Sequence, residues 1–175
     1  MLFDLPTFTL IHVVLSLAGI VAGLVVVGGL MAGVRFDRWV AVFLATTVLT
    51  NLTGFGFPFT TLLPSHVVAA LSLVVLPVTI FALYAKRLAG AWRRVFVVGS
   101  VLALWLNAFV LVAQLLAKIP VLAAIAPNPG APAFALKQLI VLAIFVVLGW
   151  AAVKGYRAGP APATRSAPAM ATPTL

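Results

Sequence analysis

Five long apolar stretches alternate with short polar or basic segments along the chain. They cover about residues 8–34, 39–57, 65–85, 92–116 and 134–153. At about 1.5 Å per residue the first makes a helix of roughly 40 Å, enough to cross a bilayer with tilt. The second is polar for a membrane helix, with Thr46, Thr47, Thr50, Asn51 and Thr53. It breaks at Gly54-Phe55-Gly56-Phe57-Pro58. The pattern predicts an all-α fold, a five-helix transmembrane bundle with a Gly/Pro turn between helices two and three.

The basic residues set an expected orientation. Nine of the eleven Lys and Arg residues are Arg35, Arg38, Lys86, Arg87, Arg93, Arg94, Lys154, Arg157 and Arg165. They fall after the first stretch, between the third and fourth, and after the fifth. The other two loops carry only Lys118 and Lys137. Positive charge collects on the cytoplasmic side, so the chain reads N-out, C-in, with the Gly/Pro turn outside. Charge parity also separates the second stretch from the third. One merged crossing would put Arg35/Arg38 and the 86–94 cluster on opposite sides, whereas two crossings put them together.

Composition narrows the class further. The chain is 65% hydrophobic and 7% charged, against about 45–50% and about 25% for soluble domains. A net charge of +9 would suggest nucleic acid in a soluble protein. Here topology accounts for it, and no nucleic-acid partner is expected. The partners implied are the lipid bilayer, including anionic head groups at the basic face, and other membrane subunits. Cysteine is absent, which excludes disulfides and thiol chemistry. The start, MLFDLPTF, has no basic n-region, so the first helix reads as retained rather than cleaved. Residues 1–157 form the membrane domain. The Pro-, Ala- and Thr-rich tail, 158–175, is expected to be disordered on the cytoplasmic side.

Few residues can carry chemistry. His12 and His66, the only histidines, fall near the expected outer ends of helices one and three. Two His on different helices at similar depth suit axial ligation of haem b, or half of a copper or zinc site. The plainer account is two interfacial histidines, each hydrogen-bonded locally. His12, Ser16, Gly19 and Gly23 share one stripe of the first helix. Small residues there allow close helix packing, or room at Gly19 for a flat cofactor beside His12. Ser100, Asn107 and Gln114 recur every seven residues. With Thr50, Asn51 and Gln138 they could line a small outer polar cavity, or serve as polar links between helices. Lys118 and Lys137 are expected to snorkel to the interface. The spans hold no carboxylate, and no P-loop, HExxH or GxSxG occurs in its required context. No catalytic residue is expected.

The stretches TTVLTNLTGFGFPF, LPSHVVAALSLVVLPVTIFALYAKRLAGAWRR, LNAFVLVAQLLAKIP and PNPGAPAFALKQLIVL resemble a group of small bacterial multi-pass integral membrane proteins. The resemblance covers most of residues 8–155 and implies a bacterial inner-membrane location. It brings no activity, cofactor or functional residue. The expected function is a structural or accessory membrane subunit. The alternatives are a haem b or metal-binding electron-transfer protein using His12 and His66, and a small transporter or channel.

Overall fold

The computed structural model describes residues 4–57, 64–123 and 132–156. The chain is helical: α1 (Leu5–Met31), α2 (Asp37–Gly54), α3 (Pro64–Tyr84), α4 (Trp92–Lys118), the single turn α5 (Pro120–Ala123) and α6 (Pro132–Gly155). Four helices are long and apolar enough to cross a membrane: α1, α3 from Ser65, α4 and α6. α2 is not among them. Asp37 and Arg38 at its start, and the threonines and Asn51 of its second half, lower its hydropathy.

Local chemistry explains where the helices begin and end. α1 starts three residues earlier than the apolar pattern suggests. Extended Asp4 caps it, its carboxylate accepting from the Thr7 N–H at 3.4 Å, and Pro6 lies in the first turn, where its missing N–H costs nothing. That bonding holds the exposed Asp4 carboxyl below its ordinary pKa. α1 stops at Met31, short of Val34. Gly33 turns left-handed (φ +77°) and Val34 N–H bonds back to the Gly29 carbonyl at 2.8 Å, a closure that glycine makes without steric cost. α2 ends at Gly54, and residues 55–57 form a turn. The remainder of the expected Gly/Pro turn, 58–63, and the expected tail, 158–175, lie outside the described residues.

Successive helices run antiparallel. Down α1, contacts climb α2: Gly29 meets Phe36, Gly23 meets Phe43, Gly19 meets Thr46 and Thr47, and His12 meets Thr53. The same reversal holds for α2 with α3 (Asn51 with Ser72) and α4 with α6 (Phe109 with Gln138). α1 also crosses α4, where Gly23 faces Leu104 and Gly19 faces Asn107. The core therefore sits among α1–α4, with Val26, Val27, Leu30, Phe43, Leu76, Phe96 and Leu104 fully buried. α6 closes one side: the Gly155 backbone lies against the Met31 carbonyl, and Ala152 is buried. This connectivity gathers Arg35, Arg38, Lys86, Arg87, Arg93, Arg94 and Lys154 at one end of the bundle.

Glycine decides how closely α1 packs. A Cβ at Gly23 would lie 2.6 Å from Leu104 Cδ1 and 2.9 Å from Phe43 Cε2. At Gly28, on the exposed face, it would meet nothing within 4 Å. Gly23→Leu should therefore force α1 off its neighbours and destabilise the bundle by about 1–3 kcal/mol or more. Gly28→Leu should leave stability nearly unchanged. Thermal unfolding of both variants in detergent measures the contrast, and equal effects would remove Gly23 from the packing seam.

Candidate functional site

The candidate residues fall at the end of the bundle opposite the arginines, and on the polar face of α2 below it. α2 carries three buried polar side chains on its inner face, Thr47, Thr50 and Asn51. Their spacings of three, one and four set them on the side that meets α1, α3 and α4. The outward residues Val42, Leu49 and Leu52 are exposed and apolar. α2 is thus polar inside and apolar outside.

His12 is half-buried in the second turn of α1. Its Nδ1 lies 2.8 Å from Thr53 Oγ1 on α2. The Thr53 hydroxyl also lies within hydrogen-bond reach of the Leu49 and Thr50 carbonyls, at 2.8 and 3.1 Å. With Nδ1 as the donor to Thr53, Nε2 of the neutral ring would carry the lone pair. The ring also meets Phe57 edge-on, with centroids 5.2 Å apart. Phe57 in turn contacts Phe8 edge-on.

His66, in the first turn of α3, is buried. Its ring stacks on Phe55 at 5.7 Å, with the planes 25° apart. The two histidines therefore lie at the same end of the bundle, where sequence reasoning put them. Each packs on a different phenylalanine of the 55–57 turn. Sequence reasoning did not name Thr53, Phe55 or Phe57 as partners. The available signal was the polar and aromatic density at the end of α2.

Gly19 is buried against neighbouring helices. A Cβ there would lie 3.2 Å from Thr46 Oγ1, 3.3 Å from Thr47 Oγ1 and 3.5 Å from Asn107 Nδ2. Side chains of α2 and α4 thus occupy the space beside it, and the small-residue stripe is a packing surface at this point.

The residues proposed for one polar cavity are spread over separate contacts. Asn51 Nδ2 donates to the Thr47 carbonyl at 2.7 Å and to Ser72 Oγ on α3 at 3.1 Å. Asn107 faces Gly19. Gln138 Nε2 donates to the Phe109 carbonyl of α4 at 3.1 Å. Gln114 is exposed on α4, whereas Ser100 and Asn107 are buried. Of the two outer lysines, Lys118 is exposed, as snorkelling expects. The Lys137 amine is shielded and has no hydrogen-bond partner among the described residues.

The polar layer is neutral in its chemistry. Thr47, Thr50, Ser72, Ser100, Asn51 and Asn107 can donate and accept hydrogen bonds but do not titrate. The hydroxyls of Thr47, Thr50 and Ser100 and the amide nitrogen of Asn107 have no hydrogen-bond partner among the described residues. The layer can hold helices in register or bind a neutral polar group. Acid–base work at this end would fall to His12 or His66.

The Asn51–Ser72 bond links α2 to α3 between two buried side chains. A double-mutant cycle with Asn51→Leu and Ser72→Ala should give a coupling of about 0.6 kcal/mol, and no more than about 1.7, the range for such bonds in membrane helices. Unfolding in mild detergent measures it, and zero coupling would mean the two side chains act separately.

Compared with known proteins, no family model, no curated protein and no solved structure matches the chain.

Proposed function

We propose that the chain is a structural or accessory subunit of a bacterial inner membrane, crossing it five times with its N-terminus outside and its C-terminus inside. The observation that carries this reading is the use made of the polar side chains. His12 bonds to α2, Asn51 to α3 and Gln138 to α4. Each joins one helix to another, which is the work polar residues do in lipid. Four helices have the length and composition of spans. α2 fits as the fifth because its polar groups face inward, where a membrane helix must hide them. Its 18 residues make roughly 27 Å of helix, near the thickness of the hydrocarbon core. The exposed apolar faces of α1, α3 and α6 suit contact with lipid or with another membrane subunit.

Reporter fusions after Phe36, Thr60, Gly90, Asn128 and Pro160 should read inside, outside, inside, outside, inside. An outside signal at Gly90 would overturn the five-span orientation, because the basic turn would then have been translocated.

One observation favours the second reading, in which His12 and His66 hold a haem b or a metal ion. With His12 Nδ1 donating to Thr53, Nε2 would be the ligating nitrogen, the arrangement usual for metal-bound histidine. The filled space at Gly19 weighs against a flat porphyrin lying along α1. On this reading the protein purified from cells supplied with haem precursors shows a Soret band, lost in both His12→Ala and His66→Ala. A colourless, metal-free preparation returns both histidines to helix packing.

A further inference from the structure

The basic end of the bundle holds a cavity that the packing of the helices does not explain. It has a volume of about 330 Å³ and is lined by Arg35, Asp37, Val40, Leu83, Tyr84 and Arg87. It lies between the start of α2 and the end of α3. Val40 and Leu83 give it an apolar floor, and two guanidinium groups and one carboxylate give it a polar rim. The volume is at the low end of the range for ligand pockets, about 300–1,000 Å³, which suits a head group rather than a large cofactor.

The two cavity arginines differ from the two lysines at this end. Lys86 lies over the rings of Phe81 and Trp92, 5.4 and 5.6 Å from their centroids, and Lys154 lies 3.7 Å from that of Trp150. Those amines are engaged by aromatic faces. Arg35 is paired with Asp37, and that bond raises its guanidinium pKa above the ordinary value. The pair leaves other Arg35 donors available, because a guanidinium has five N–H groups and this carboxylate meets its Nε. Arg87 has no hydrogen bond or ion pair among the described residues. It sits in a turn where Arg87 and Leu88 are both left-handed, at φ 48° and 59°. Side chains other than glycine rarely adopt that backbone. The local formal charge of the rim is positive, with two arginines against one aspartate.

We propose that this cavity binds a phosphate group, with Arg35 and Arg87 as its ligands and Asp37 as the side chain that orients Arg35 and opposes the anion. Planar guanidinium groups suit phosphate because paired N–H donors match its oxygens. Two sources carry that chemistry at a membrane surface, an anionic phospholipid and free phosphate. The lipid source rests on the membrane location proposed above; the phosphate chemistry does not.

The test uses the full chain in nanodiscs of phosphatidylcholine doped with phosphatidylglycerol, with retained lipid read by native mass spectrometry. Phosphatidylglycerol should be retained in preference to phosphatidylcholine. Arg87→Ala and Arg35→Gln should weaken its retention at least about tenfold, as expected for loss of a charge-assisted contact. Arg94→Ala removes the same charge from an exposed position that does not line the cavity. It should cost no more than the roughly fivefold that corresponds to about 1 kcal/mol per basic residue at an anionic surface. Asp37→Asn should strengthen retention. Thermal unfolding of each variant shows that its fold is intact, and the exposed Arg87 is a safe position to truncate. In discs of phosphatidylcholine alone, inorganic phosphate followed by ³¹P line broadening tests the soluble source. Broadening lost in Arg87→Ala, without selective lipid retention, supports the same site with free phosphate as its ligand. Equal losses in Arg94→Ala and Arg87→Ala, or neither lipid preference nor phosphate broadening, overturn the site. Release of the chain from native membranes by alkaline carbonate would sink the membrane reading instead, and leave the phosphate titration to judge the cavity.

Discussion

At Gly23 the backbone of α1 comes so near Phe43 of α2 and Leu104 of α4 that no side-chain carbon fits between them. Much else follows from that approach. With α1 against both neighbours, Gly19 one turn earlier comes within reach of Thr46, Thr47 and Asn107. Two turns earlier again, His12 reaches Thr53. Similar contacts recur elsewhere. Gly99 of α4 receives the Thr79 hydroxyl of α3, and Gly155 of α6 lies on the Met31 backbone. In an apolar solvent, burying more apolar surface gains little, so helices associate through close packing and polar links. This bundle uses both, and the glycines make the polar links possible.

α2 shows how the two work together. It is the shortest of the five long helices and the most polar. Alone it would be a poor membrane segment. Between α1 and α3 its threonines and Asn51 turn inward, and its exposed face is Val, Leu and Trp. The helix is acceptable to an apolar surrounding only as part of the assembled bundle. Two of its four threonine hydroxyls bond to carbonyls of their own helix: Thr46 to Val42 and Thr53 to Leu49. Bonding of this kind hides a polar group without needing a neighbour.

The two ends of the bundle are chemically distinct. One carries His12, His66 and the aromatic rings of Phe8, Phe55 and Phe57. The other carries the basic residues, partly engaged by Trp92 and Trp150 and partly gathered around a cavity. Neutral polar groups separate them in the interior. No charged relay joins the ends through the described core, whose buried polar side chains are Thr, Ser, Asn, Gln and His66.

The apolar pattern, with charge parity to separate the second stretch from the third, determined that the chain is helical, how many long helices it has, and roughly where each lies. A run of twenty or more apolar residues bounded by glycine, proline or charge admits few other structures. The sequence also grouped the basic residues, since alternating direction is built into short connections between long helices. Helix ends were less legible because they depend on single hydrogen bonds, such as the Asp4 cap and the left-handed Gly33. Tertiary structure decided which polar residues meet. Thr53 faces His12 Nδ1, Ser72 faces Asn51, and Gln114 is exposed where Ser100 and Asn107 on the same stripe are buried. Those outcomes depend on helix rotation and separation. Residue spacing fixes position on one helix, but only packing against the others fixes which way that position points.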